Sequence, residues 1–238
     1  MKKLYVFILL LLCYGLSVSA KIFLVSVGVA DYPGTVNDLK VSANDAKTIS
    51  EIFSNSKTAT ISTLTNSRAT KPALLLVLQN TFVNANSDDT AILYFSGHGT
   101  PGGICCYDGV LQYNKIYAEL RKCKARKKMI FVDACFAGKM RSGKRTDTSS
   151  RHTSQNVLFF LSSRTNEKSQ ETKFQNSLFT IFLERGLRGG ADTNRDKTVT
   201  ARELYDFVHS GVVSASNNTQ HPVMWGKFDD NMTIIKWK

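Results

Sequence analysis

The sequence has 238 residues and a formal net charge of +12, and its basic residues are concentrated in clusters. One cluster runs from Arg121 to Lys128 and the other from Lys139 to Arg151. Neither is interleaved with stacking aromatic residues, so we expect a solvated helix end and a solvated loop and no nucleic-acid partner. No two cysteines are spaced as Cys-x-x-Cys, which argues against a structural zinc site.

The first twenty residues predict a secretory signal peptide. Two lysines precede an apolar stretch from Leu4 to Leu16, and small residues predict cleavage after Ala20. The apolar stretch is too short to span a bilayer, and no later segment reaches that length. We therefore expect an exported protein, secreted or periplasmic, with no membrane span. Residues 21–238 have the length of one α/β domain with a sizeable core.

After the leader, the chain alternates strands with helices. Periodicity predicts strands at about 22–29, 58–64, 90–96, 128–134, 157–163 and 232–237, and helices at about 39–54, 71–85, 113–122, 177–187 and 200–213. This alternation is typical of an α/β fold in which a mostly parallel central sheet carries helices on both faces. Residues 139–156 fit no element, because Met140 is their one apolar residue, and they predict a flexible loop.

Two of the predicted strands end on reactive side chains. Ala91–Gly99 and Met129–Gly138 each begin as an apolar run that suits a strand buried on both faces. The first run leads to His98 and the second to Cys135. Because functional sites collect at the carboxyl edge of a parallel sheet, we expect both side chains to face one crevice. A thiol beside an imidazole predicts nucleophilic catalysis.

The same segments resemble those of the caspase-like cysteine peptidases, the clan of caspases, metacaspases, gingipains and clostripain. The family carries Ser-Gly-His-Gly after one central strand and Asp-x-Cys-x-x-Gly after the next, as residues 96–99 and 133–138 do here. Residues 28–46 and 161–207 resemble its first helix region and its C-terminal third. The metacaspase and bacterial branch is the most similar. The resemblance implies a caspase-like fold and a cysteine endopeptidase, whereas papain-like peptidases place Cys before His.

The resemblance also implies roles for these residues. Cys135 is the expected nucleophile that attacks the scissile carbonyl, and His98 is the expected acid that protonates the departing amine. In the family, the backbone N–H groups of the nucleophile and of the glycine after the histidine hold the oxyanion, which implies Cys135 and Gly99 here. Phe136-Ala137 departs from the polar residue and Ser that are commoner after the nucleophile.

An acidic pocket for the substrate is implied in the same way. In metacaspases the residues that match Asp45, Ser96 and Asp133 bind Arg or Lys at the cleaved position. The strand period places Asp133 on the face of the nucleophile, and Ser42 shares a helix face with Asp45. We therefore expect protein or peptide substrates with Arg or Lys before the scissile bond. A helix cap or a structural ion pair is the alternative role for Asp133.

The loop after the nucleophile strand predicts self-processing. Caspase-like enzymes often carry a linker there that is cut during maturation. Five basic residues offer cleavage sites in this chain, namely Lys139, Arg141, Lys144, Arg145 and Arg151. A solvated connector is the alternative interpretation of the same stretch.

Residues 192–203 have the spacing of an EF-hand calcium loop. The expected ligands are Asp192, Asn194, Asp196, Thr198 and Glu203. Lys197 stands where the motif needs a glycine, so a plain turn is the alternative and calcium of modest affinity is the one cofactor we expect. The acidic cluster that activates many metacaspases is not recognisable in residues 100–112, and catalysis itself requires no cofactor.

A rival interpretation makes the chain a catalytically silent caspase-like binding or scaffold module that responds to calcium. Such a module predicts loss of the imidazole or the thiol, but His98 and Cys135 are both present. The sequence therefore favours the peptidase.

Overall fold

The structure is a computed structural model that describes residues 20–135, 156–164, 166–173 and 175–237. Of the expected signal peptide, the structure describes residue 20 alone. Of the expected processing loop, it describes residue 156 alone. In chain order the elements are β1 (Ile22–Gly28), α1 (Ser42–Ser54), β2 (Ala59–Thr65), α2 (Lys71–Phe82), β3 (Thr90–Ser96), β4 (Gly99–Thr100), β5 (Gly103–Cys106), β6 (Gly109–Gln112), α3 (Tyr113–Lys122), β7 (Lys127–Asp133), β8 (Asn156–Leu161), α4 (Leu178–Arg185), β9 (Thr198–Thr200), α5 (Ala201–Ala215), β10 (Val223–Lys227) and β11 (Thr233–Lys236).

Six of these strands form the central sheet in the spatial order β10-β8-β7-β3-β1-β2. The pairs β1–β2, β1–β3, β3–β7 and β7–β8 are parallel, and β10 joins β8 in the antiparallel sense at one edge. The predicted α/β class with a mostly parallel sheet is therefore confirmed. The two strands that end nearest the reactive residues, β3 and β7, are neighbours at the centre of the sheet.

Helices cover both faces of the sheet, as the alternation predicted. On one face, Leu93 and Phe95 of β3 share a core with residues of α2 and α3. On the other face, Ile92 and Tyr94 pack with residues of α1, α4 and α5. Each of these four β3 side chains is at most 1% exposed, because alternate residues of a parallel strand enter two separate cores.

Two parts of the sheet arrangement differ from the sequence prediction. The predicted strand at 232–237 exists as β11, but it pairs with β9 in a separate two-stranded sheet. The edge of the central sheet is formed instead by β10, which periodicity missed because its burial is only partial. A three-stranded sheet of β4, β5 and β6 also went unpredicted, because its strands are two to four residues long.

The helix α1 begins at Ser42, three residues later than predicted. The preceding residues belong to a loop with hydrogen bonds of its own. The N–H of Leu39 donates to the Ala30 carbonyl at 2.8 Å, and the Asp38 carboxylate accepts the Tyr32 N–H at 3.0 Å. This loop lies beside the carboxyl end of β3, so its conformation bears on the site described next.

Two further observations concern the described residues as a group. Their cysteines, which are Cys105, Cys106, Cys123 and Cys135, are all free thiols. Within the same residues, no helix is both long enough and apolar enough to cross a membrane.

Candidate active site

The register between β3 and β7 brings the two reactive residues to one edge of the sheet. Ser96 pairs with Asp133, and the N–H of Gly97 donates to the Asp133 carbonyl at 3.1 Å. His98 and Cys135 each follow this pair by two residues. Since neighbouring strands lie about 4.8 Å apart, the expected dyad stands at the ends of adjacent strands.

The glycines on either side of His98 are required by close packing. A Cβ at position 99 would lie 2.4 Å from the Cys135 carbonyl oxygen, so a larger residue would push the two strand ends apart. A Cβ at position 97 would lie 2.9 Å from the Tyr32 hydroxyl. Both glycines of the Ser-Gly-His-Gly segment are therefore required, because a side chain at either position would collide with neighbouring atoms.

The imidazole of His98 is oriented by a backbone group that sequence reasoning did not find. Its Nε2–H donates to the carbonyl oxygen of Asn37 at 2.8 Å. A carbonyl can only accept, so the neutral ring carries its proton on Nε2 and leaves Nδ1 free to act as a base. No residue type signals this role, because any residue at position 37 supplies a carbonyl.

The side chain of Tyr32 contacts both the backbone and the ring of His98. Its hydroxyl accepts the His98 N–H at 2.9 Å and donates to the Cys105 carbonyl at 3.1 Å. The two aromatic rings lie 5.0 Å apart between centroids. Tyr32 is 7% exposed, and burial raises the pKa of its hydroxyl well above the ordinary value, so the group stays protonated and can donate.

The peptide that precedes the nucleophile is held by the end of β8. The N–H of Ala134 donates to Ser162 Oγ at 3.2 Å, and Ser163 Oγ donates to the Ala134 carbonyl at 3.4 Å. Cys135 itself is half-buried. Residues 136–155, which follow it, lie outside the described part of the chain.

The two carboxylates of the expected acidic pocket are neighbours and share one donor residue. Ser177 donates its N–H to Asp45 Oδ1 at 3.0 Å and its hydroxyl to Asp133 Oδ2. Asp45 Oδ2 also accepts the hydroxyl of Ser96 at 2.7 Å. Asp45 is fully buried and Asp133 is 3% exposed. The structure thus brings together Asp45, Ser96 and Asp133, three of the four residues expected in the acidic pocket.

In the part of the chain that the structure describes, hydroxyl groups and no cationic side chain lie against these carboxylates. Asp133 accepts hydrogen bonds from Ser169 and from Thr180, the latter at 3.0 Å. Among the described residues, no ion pair joins either acid to a basic side chain. The hydroxyl of Ser42 is buried, but within the same residues it donates to neither acid. The sequence does not reveal that Ser169, Ser177 and Thr180 contact Asp133, because they lie far from it along the chain.

Burial makes the charged form of this pair costly. It raises the pKa of Asp45 from 3.8 to about 7, and the neighbouring Asp133 adds to that shift. Burial also raises the pKa of Asp133, although the surrounding hydroxyls oppose it. Two adjacent acids without a cation are most stable when they hold at least one proton between them.

A polar segment contacts the pair through Ser169, and we call residues 166–173 the cover segment. It contains no apolar side chain. Its Ser169 reaches Asp133, and its Glu171 accepts the N–H groups of Lys40 and Val41 at 2.7 and 3.1 Å. Glu167 contacts the His221 ring at 2.8 Å. Hydrogen bonds, together with the pairing of Glu167 with Arg164 and His221, therefore carry most of its attachment to the rest of the described structure.

In the EF-hand-like loop, acidic side chains accept hydrogen bonds from backbone N–H groups of the same loop. Asp192 accepts the N–H groups of Asp196 and Lys197 at 3.1 and 2.9 Å, and Lys197 has a φ of +64°. The positive φ agrees with the strain expected where the motif has glycine. Both carboxylate oxygens of Glu203 accept hydrogen bonds, one from the Thr193 hydroxyl and the other from the hydroxyl of Thr200, the residue just before α5. No group of three metal-binding side chains is gathered within the described part of the chain.

Comparisons with known proteins agree with this geometry. A family model described as the caspase domain matches residues 23–232. Caspase-1 from Spodoptera frugiperda superimposes with a TM-score of 0.66 and 18% identity, over 87% of this chain and 87% of that chain. A crystal structure of a protein from Geobacter sulfurreducens matches with a TM-score of 0.63 and 19% identity, over 86% of this chain and 92% of that chain. At these identities the two structures show a shared fold. No curated protein matches the sequence significantly.

Proposed function

The chain belongs to the caspase-domain family, and on that basis we propose that it is a cysteine endopeptidase that cuts peptide bonds after Arg or Lys. One observation carries the proposal. The ends of the adjacent strands β3 and β7 present His98 and Cys135 at the same edge of the sheet, with Asp45 and Asp133 beside them. This combination supplies a nucleophile, a base and a counter-charge for a basic side chain.

The reaction follows from the hydrogen bonds of His98. The Nδ1 atom takes the proton of Cys135, and the thiolate attacks the scissile carbonyl carbon. The resulting imidazolium gives a proton to the departing amine, and a water molecule then releases the acyl group from sulfur. The backbone N–H groups of Cys135 and Gly99 would hold the oxyanion, and the lack of a Cβ at position 99 allows that approach.

Selection of the substrate rests on the carboxylate pair. A guanidinium or ammonium that replaced the hydroxyls of Ser169 and Ser177 would favour ionisation of both acids, whereas an acidic side chain would meet repulsion. Because both acids are buried and Ser169 of the cover segment donates to Asp133, the basic side chain reaches the pair when Ser169 is displaced. Specificity is therefore coupled to movement of the cover segment.

Secretion and self-processing complete the proposal. The N-terminal twenty residues support export, and the basic residues of the loop at 139–156 would themselves be substrates of a pocket for Arg and Lys.

The decisive experiment is an activity assay with matched variants. The purified protein without its leader is incubated with fluorogenic peptides that end in Arg, Lys or Asp. We expect turnover of the Arg and Lys peptides and little turnover of the Asp peptide. Cys135→Ala and His98→Ala should each abolish it, while Cys123→Ala, a buried thiol away from the dyad, should leave it intact. Normal turnover by folded Cys135→Ala would end the proposal.

A further inference from the structure

A cavity of about 360 Å³ adjoins the imidazole of His98, and the proposed acidic pocket makes no use of it. Its walls include Tyr32, Pro33, Cys105 and Tyr107. The volume lies at the lower end of the range of ligand pockets, roughly 300–1,000 Å³, and is enough for an amino-acid side chain. The proposed mechanism assigns no substrate group to this cavity.

The cavity and the carboxylates lie on opposite faces of the central sheet. Tyr32 and Cys106, which line the cavity, belong to the core that β3 shares with α2 and α3. Asp45 lies on α1, which packs on the other face. A peptide with its basic residue at Asp45 must cross the carboxyl edge of the sheet to pass the dyad. The part beyond the scissile bond is then directed toward the cavity.

The role of His98 as an acid also places the leaving half of the substrate beside the cavity. The imidazole must lie within hydrogen-bond reach of the departing amine nitrogen in order to protonate it. That nitrogen belongs to the residue that follows the scissile bond. Since the cavity opens beside the imidazole, the side chain of that residue is the substrate group closest to it.

Apart from His98, the described residues that line the cavity carry no charge. There is no Asp, Glu, Lys or Arg among them, and the thiols and aromatic rings offer soft, largely apolar surface. Burial raises the pKa of Cys106 to about 12 and also raises that of Cys105, so both remain neutral thiols. The ammonium of Lys71 lies outside the walls, 3.5 Å from where a Cβ on Gly109 would stand.

We propose that this cavity is the subsite for the residue after the scissile bond, and that it takes an uncharged apolar side chain such as Leu, Met or Phe. The inference rests on the proposed function, because it assigns the leaving half of the same substrate. A charged side chain of either sign there would lose its hydration against thiols and aromatic rings. The nearby charges of Lys71 and Asp108 are opposite in sign and both act on Cys106, so together they do not favour either charge.

The first test measures which amine the acyl-enzyme accepts. An Arg ester forms the acyl-enzyme, which partitions between water and an added amine that must bind on the leaving side. We expect leucinamide to capture about tenfold more acyl group than glycinamide or aspartic acid α-amide at equal concentration. Equal capture by all three overturns the subsite. Failure to hydrolyse the ester at all contradicts the proposed function, and the subsite with it.

The second test removes one wall of the cavity. Tyr107→Ala should lower kcat/KM about tenfold for peptides with Leu after the cleaved Arg and leave those with Gly there within about twofold. Tyr107→Phe keeps the ring and should retain the wild-type preference. Inhibition by a peptidyl argininal, which fills the acyl half alone, should be equal in all three proteins. A Tyr107→Ala enzyme with normal argininal inhibition and an unchanged Leu preference refutes the assignment.

Discussion

The hydroxyl of Tyr32 accepts the backbone N–H of His98, and through this contact a loop residue fixes the position of the general base. The same hydroxyl donates to the Cys105 carbonyl, so both of its hydrogen-bonding functions are used. The loop that carries Tyr32 also supplies the Asn37 carbonyl to the imidazole. The two contacts hold the backbone and the ring of His98 separately.

Tyr32→Phe should therefore slow catalysis without removing the dyad. It leaves the His98 N–H without its acceptor, and we expect roughly a tenfold lower kcat and a loss of about 1 kcal/mol in the free energy of unfolding. Tyr113→Phe is the matched control, because the buried Tyr113 hydroxyl has no hydrogen-bond partner among the described residues. That variant should be as stable as the wild type or more so. Equal kcat in Tyr32→Phe would contradict the positioning role.

The carboxylate pair predicts how stability depends on pH. In the unfolded chain Asp45 loses its proton near its ordinary pKa of 3.8, whereas the folded protein keeps it until about pH 7. The folded state therefore binds more protons in this window, and the contribution of Asp45 to stability falls as pH rises from about 4 to about 7. Asp45→Asn should lessen that fall by an amount on the order of a few kcal/mol.

The measurement is a series of melting temperatures between pH 4.5 and 8 for the wild type and Asp45→Asn. Glu51→Gln, an exposed change on the same helix, is the control and should follow the wild-type profile. Parallel curves for wild type and Asp45→Asn would show that Asp45 ionises as easily in the folded protein as in the unfolded chain.

Binding of a basic ligand should release a proton from the pair. A guanidinium beside Asp45 and Asp133 lowers their pKa values, so agmatine should bind more tightly as pH rises toward 7. Calorimetry in two buffers with different ionisation enthalpies measures the number of protons released. Asp45→Asn should weaken agmatine binding and reduce proton release. Binding that is independent of pH in the wild type would argue that the cation contacts other groups.

Self-processing should occur at the basic residues between Lys139 and Arg151. Intact-mass analysis should find fragments that end at these residues in the wild type and a single chain in Cys135→Ala. The fragments should remain associated, because β7 and β8, on either side of the cut, pair over residues 127–132 and 156–161. A wild type that is active yet remains uncut would refute self-processing.

Calcium should stabilise the protein modestly if the 192–203 loop binds it as its spacing predicts. Millimolar calcium should then raise the melting temperature through linkage, and Asp192→Asn should reduce the shift. Magnesium at the same concentration is the control for general ionic effects. Superimposable melting curves with and without calcium would leave the loop as a turn whose acids cap its own backbone.

The central features of the fold could be predicted because they depend on apolar runs. The buried strands before His98 and Cys135 are continuous apolar segments, and the strand period alone places Asp133 on the face of the nucleophile. The edge strand β10 was missed because it is only partly buried and carries no such run. The short strands β4 to β6 were missed because two to four residues hold too little periodicity.

The supporting atoms of the site could not be predicted for a different reason. The Asn37 carbonyl belongs to the backbone, so no side chain marks it. Ser177 and Ser169 reach Asp133 from positions 44 and 36 residues away along the chain. Isolated polar residues in a loop have no pattern that distinguishes them from solvated ones. Tertiary structure alone selects which of them meet a buried acid.

The composition of the cover segment has a consequence for local unfolding. Without an apolar side chain, residues 166–173 gain little from burial, so their backbone amides should exchange with solvent through small openings. The amides of β3 and β7 lie in the core and should exchange only when the whole domain unfolds. Mild denaturant should then lower the selectivity for Arg and Lys substrates at concentrations that leave the reacting thiol and imidazole in place.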